Sequence, residues 1–138
     1  MKQFISAASL IVILGGCASG PYAIIDGSKS KRADQYSSDV VITGIDGQMI
    51  FDGRKVRNVE PGSHYVQLTS VRTDRQGRES YRPWAFNAEA CKRYVVAAKH
   101  DPNKKFSSRY WEVELLRVED IKGCVVEPKQ ETASTSGK

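Results

Sequence analysis

Apolar positions along this chain come in short runs, broken at intervals of roughly 8–12 residues by turn-forming residues, the spacing expected of an all-β domain. Residues 39–45 (Asp39-Val40-Val41-Ile42-Thr43-Gly44-Ile45) are β-branched and run into Asp46-Gly47, a turn dipeptide. Residues 48–51 form a second apolar run that ends at Asp52-Gly53, so the stretch reads as hairpin grammar. Residues 55–59 alternate, and Glu60-Pro61-Gly62-Ser63 is a turn with Pro and Gly where turn geometry favours them. The longest alternation is 64–73. It places His64, Val66, Leu68 and Ser70 on one face and Tyr65, Gln67, Thr69 and Val71 on the other.

Beyond a charged loop at 74–78, Trp84-Ala85-Phe86 opens the next apolar stretch, and Pro83 makes its start an edge or a bulge. Residues 87–91 read as one helical turn capped by Asn87, and 93–99 as a strand. Ala88, Cys91 and Val95 also sit at helical spacing, but Tyr94-Val95-Val96 favours a strand there. Residues 109–118 alternate, with Trp111, Val113 and Leu115 inward and Glu112 and Glu114 outward; 123–126 close the domain. The expected fold is mainly β: a small antiparallel β-sandwich or partly open barrel of six to eight strands, covering residues 39–127.

The first residues follow a different logic. Met1-Lys2-Gln3 carries one positive charge, an apolar run reaches Leu14, and Gly15-Gly16 precede Cys17. This is the layout of a secretory signal, and its apolar run is well short of the roughly 20 residues that span a bilayer. Leu14-Gly15-Gly16-Cys17 resembles the lipobox of bacterial lipoproteins. The resemblance implies that residues 1–16 are removed and that Cys17 becomes the lipidated first residue. It also implies a lipid-anchored protein of the cell envelope, and Ala18 after the cysteine favours the outer membrane, facing the periplasm. Residues 17–38 are rich in polar and turn residues and read as a flexible tether, with Tyr22-Ala23-Ile24-Ile25 as an apolar interruption able to dock on the domain. Residues 128–138 read as a disordered tail.

With Cys17 assigned to the anchor, Cys91 and Cys124 remain, an even pair suited to a disulfide in an oxidising compartment; two separate buried thiols are the alternative. A second resemblance rests on Ile45-Asp46-Gly47 followed by Val59-Glu60-Pro61-Gly62-Ser63-His64-Tyr65-Val66-Gln67-Leu68. These residues resemble PEGA-type modules. The segment from Phe86 to Val96 is similar to one found in small envelope lipoproteins, with Cys91 where a Gly is usual. Together they imply a β-sandwich used for surface or protein contacts, with no catalytic residues.

Charge and chemistry add little. The chain is 27% charged and 40% hydrophobic with a formal charge of +5, one less once Lys2 leaves with the signal. A solvated basic surface accounts for that excess. No H-E-x-x-H, C-x-x-C, G-x-S-x-G or phosphate-binding glycine loop occurs, so no metal, cofactor or catalytic residue is expected. His64 is expected to bond the turn backbone and His100 to sit solvated at a strand end. Glu112 and Glu114 read as a solvent-facing pair. Arg75, Arg78, Arg82 and Trp84 form the one candidate contact site, an Arg/aromatic hairpin that could grip an anionic envelope ligand such as peptidoglycan or lipopolysaccharide. The functional expectation is a structural or protein-interaction lipoprotein, not an enzyme. Its partners are the membrane, through its lipid, and an envelope protein, with no nucleic acid; the alternative is a module binding that anionic ligand.

Overall fold

The computed structural model describes residues 20–104 and 108–126; Cys17 and residues 127–138 lie outside them. The described chain is all β, with nine strands: β1 Ala23–Asp26, β2 Ser37–Ser38, β3 Val40–Ile45, β4 Gln48–Met49, β5 Val56–Val59, β6 Gly62–Ser70, β7 Tyr81–Ala88, β8 Lys92–His100 and β9 Trp111–Asp120. Seven of them are longer than two residues. They build two sheets. In one, here the first sheet, β8 pairs with β9 along one edge; its other edge is shared by β2 and β1, with β5 beyond β1. The second sheet has the order β4-β3-β6-β7. The class is a small, mainly β sandwich or partly open barrel, and all but one of the pairings are antiparallel, β1–β8 being parallel.

Alternation places the core. Val40 and Ile42 of β3, Val66 and Leu68 of β6, and Tyr94, Val96 and Ala98 of β8 meet Ile25, Val59 and Trp111 between the sheets. At the first hairpin Asp46 (φ 49°) and Gly47 (φ 84°) both take the left-handed conformation that a tight hairpin needs. Asp52-Gly53 makes no hairpin: the chain there crosses from β4 in the second sheet to β5 in the first. Pro83 lies on β7, an edge strand, where its missing N–H costs no ladder bond.

Three expectations are corrected. Residues 17–38 are not all tether. Ala23–Asp26 is a fully buried strand between β8 and β5, and Ser37–Ser38 pairs with the end of β8. Residues 28–36 then cross the outer face of the first sheet, where Lys31 bonds Glu114 at 2.8 Å and Lys99 bonds Asp34. That cover explains why Val95 and Ala97, on the outward side of β8, are as buried as the core. Residues 87–91 form no helical turn. β7 runs to Ala88, and a tight turn follows in which Cys91 (φ 61°) holds the left-handed conformation open to glycine. Finally, Leu115 shares the face of Trp111 and Val113, opposite Val96, yet is exposed on the edge strand β9, and a bulge after it, between its pairing with Val96 and that of Arg117 with Val95, shifts the phase of the rest of β9.

One flank of the sandwich is closed by backbone bonds: Val40 N–H to Gly27 O (2.9 Å), Gly27 N–H to Lys55 O (2.7 Å) and Ile42 N–H to Arg54 O (3.0 Å). Gly27 is the corner that permits this. A Cβ there would meet Val40 O at 2.4 Å. β7 and β9 border the opposite, open flank.

Candidate functional site

The strands run between two ends. The base carries the Glu60–Pro61 turn, the Glu89–Cys91 turn and residues 121–126; the cap carries the 71–80 loop and residues 101–104 and 108–110. At the base, Cys91 and Cys124 form a disulfide, and Cys91 N–H bonds Tyr22 O at 2.8 Å, fastening the start of β1 beside it. His64 behaves as its position suggests: Nε2 lies 2.7 Å from Glu60 O and Nδ1 2.7 Å from Asp46 Oδ2. Burial opposes its charge, but the Glu60 carbonyl and the Asp46 carboxylate outweigh burial and raise its pKa above the ordinary value.

At the cap, His100 is not solvated. It is 5% exposed, with Nε2 2.9 Å from Ser38 Oγ and 3.1 Å from Ser70 Oγ, which are themselves 3.1 Å apart. Nδ1 is buried without a hydrogen-bond partner among the described residues. Burial and the charge of Arg72 lower the His100 pKa, with the Ser108 backbone only partly opposing them, so the ring is held neutral. His100 lines a cavity of about 670 Å³ with Arg72 and Lys104 at its rim. The two hydroxyls are buried with the ring, and among the described residues no carboxylate bonds it; the three side chains form a packed polar cluster.

The Arg/aromatic hairpin does not converge on one surface. Arg78 Nε bonds Asp74 Oδ2 at 2.7 Å, and Asp74 also takes the backbone N–H groups of Gln76 and Arg78, so this arginine organises its own loop. Arg82 faces the open flank, where it donates to the carbonyls of Trp111 (3.0 Å) and Arg109 (2.7 Å) and lies over the Trp111 ring. It clamps β7 to the start of β9. Trp84, on the same side of β7, stacks on Phe86 with centroids 4.0 Å apart and packs against the core. Arg75 sits in the loop with its own contacts. Glu112 is exposed, whereas Glu114 is held by Lys31.

The surface that sequence reasoning did not single out is the outer face of the second sheet. Opposed pairs across β6 and β7 are Ser63–Asn87, Tyr65–Ala85, Gln67–Pro83 and Thr69–Tyr81, and Val41 and Thr43 of β3 continue the face. None of these side chains carries a charge at neutral pH, in a chain that is 27% charged. Tyr65 and Tyr81 are 56% and 62% exposed. The outer face of the first sheet differs: it is crossed by residues 28–36 and by the Arg93–Asp26 pair at 2.9 Å. The alternation of 64–73 did reveal Tyr65, Gln67 and Thr69 as one face. Its exposed part runs over Ser63 and Tyr65 of β6 and Tyr81, Pro83, Ala85 and Asn87 of β7, whereas Thr69 is buried.

Among the described residues no three His, Cys, Asp or Glu side chains are grouped to hold a metal, and no helix is long and apolar enough to cross a membrane. Comparison with protein-family models, curated proteins and solved structures finds no match to this chain.

Proposed function

We propose that this chain is a lipid-anchored domain of the bacterial cell envelope that works by protein contact rather than catalysis, with the outer face of the second sheet as its docking surface. The observation that carries this reading is the uncharged, tyrosine-bearing face across β3, β6 and β7. Protein interfaces are depleted of charge at their centre and enriched in tyrosine, and an exposed patch of that composition fits a partner. The lipobox residues Leu14-Gly15-Gly16-Cys17 support the anchor, and the Cys91–Cys124 disulfide accords with an oxidising, exported setting.

Photo-crosslinking in cells tests it. A photoreactive residue at Ala85, directly opposite Tyr65, is expected to yield a discrete protein adduct that the double variant Tyr65→Asp/Tyr81→Asp abolishes. The same residue at Glu112, on the outer face of the first sheet, is expected to yield none. Adducts from Glu112 alone, or adducts from Ala85 that survive the double variant, would reject this face.

A further inference from the structure

We infer that the base of the sandwich lies against the headgroups of the membrane that holds Cys17, so that the domain stands upright with its cap pointing away. This rests on the anchored reading above. Three observations carry it.

The first is the length of chain between anchor and fold. Pro21 and Tyr22 line, with Asn58–Pro61 of the base turn, a cavity of about 430 Å³. Tyr22 is the first described residue bonded into the fold, its carbonyl accepting from Cys91 N–H at 2.8 Å, and it lies five residues after Cys17. Five residues, even fully extended, reach about 18 Å. The expected leash of some twenty residues would have let the domain tumble at roughly 25 Å from its anchor. With β1 starting at Ala23 that freedom is lost.

The second is where the chain enters. Tyr22 O accepts from Cys91 N–H, and Cys91 O accepts from Ile121 N–H, so entry point, disulfide and the 121–126 segment share the base. β6 rises nine residues from that end to the 71–80 loop. At strand rise this sets the cap roughly 30 Å farther from the membrane. The third is the surface itself. Val125 and Val126 are 74% and 56% exposed beside Lys122, an apolar pair in the position where headgroups would meet the protein. Carboxylates and amines are mixed there, Lys92 pairing with Asp120 at 2.5 Å, so the anchor rather than net charge sets the orientation.

The arrangement has a consequence for recognition. An upright domain turns the uncharged face of the second sheet sideways, toward neighbours in or beside the same membrane, and lifts the Arg-bearing cap loop away from it.

The test uses the full lipidated chain in phosphatidylcholine vesicles doped with a nickel-chelating headgroup lipid. Acyl mass on Cys17 is first confirmed by mass spectrometry; its absence would overturn the anchored reading and this inference with it. Spin labels are then placed singly by Glu60→Cys at the base and Gln76→Cys at the cap, since the native cysteines are acylated or bridged. Relaxation by the nickel headgroups is expected to be several-fold greater at position 60 than at 76. A flexible Gly/Ser insert of about 20 residues before Gly20, reaching roughly 25 Å, is expected to erase the difference. Equal relaxation at both positions in the native-length chain, or a greater effect at 76, overturns the upright orientation while leaving the anchor standing.

Discussion

The two histidines answer acid with opposite signs, and their partners say why. His100 is packed against Ser38 and Ser70, with burial and Arg72 lowering its pKa below the ordinary 6.5. The unfolded chain therefore binds a proton that the folded chain resists. Its contribution is complete above the unfolded value and is lost as the pH falls below it. His64 has a raised pKa: burial works against its charge, and the Glu60 carbonyl and Asp46 prevail. Its contribution is complete below the unfolded value and is lost as the pH rises through the folded one. The carboxylates with lowered pKa values titrate below this window. Denaturant unfolding between about pH 7.5 and about pH 5 should separate the two. His64→Gln is expected to make stability fall more steeply on acidification than in the parent protein. His100→Gln is expected to flatten or reverse the slope, whatever its cost at neutral pH. Slopes that move the same way in both variants would contradict the assignment. The turn role of His64 was legible because Glu60 is four residues away in the turn, whereas Asp46, 18 residues away at the end of β3, comes to it only through the β3–β6 pairing. That of His100 was not, because its partners come from strands 62 and 30 residues away.

At the scale of elements, β1 separates what a sequence pattern carries from what only assembly supplies. β3 and β6 have an alternation of their own, so their faces could be read in advance. Ala23–Asp26 has none: four residues, buried on both sides, flanked by polar turns. Its strand character comes from lying between β8 and β5, and its outer face is buried by the segment that follows it. The phase shift in β9 was hidden for a related reason, since a bulge is set by the partner strand's register. Similarly, that Arg82 bonds the start of β9 and Trp84 packs against the core are contacts that only assembly supplies. Ile25 is fully buried, so Ile25→Ala is expected to cost about 2–5 kcal/mol in urea unfolding. A residue in a tether would change stability by no more than about 0.5 kcal/mol. The disulfide supports the same end of the sheet. Replacing both Cys91 and Cys124 by Ser releases a loop of 33 residues and is expected to cost roughly 3–4 kcal/mol, measured in the same way.

For the molecule as a whole, the question is where the folding unit begins. A boundary at Asp39 follows from composition, since polar and turn residues dominate everything between Cys17 and Ser38. The sheet contradicts it. Deleting residues 17–38 would remove β1 and β2, leaving β5 without its partner and β8 with one edge unpaired. It would also remove Ser38 from His100, Gly27 from the closed flank, and Lys31 and Asp34 from the outer face of the first sheet. Ala23 and Ile25 would leave a gap in the core. Unpaired strand edges and an opened core favour association over folding. A chain of residues 20–138 loses none of these contacts. It is expected to give dispersed amide resonances and a single cooperative unfolding transition, with the thermal midpoint of the parent domain. A chain of residues 39–138 is expected to aggregate or to show the collapsed spectrum of an unfolded protein. Cooperative folding of the shorter chain at the same midpoint would show that the strand now placed at the centre of the first sheet is dispensable, and would return residues 17–38 to the role of a leash.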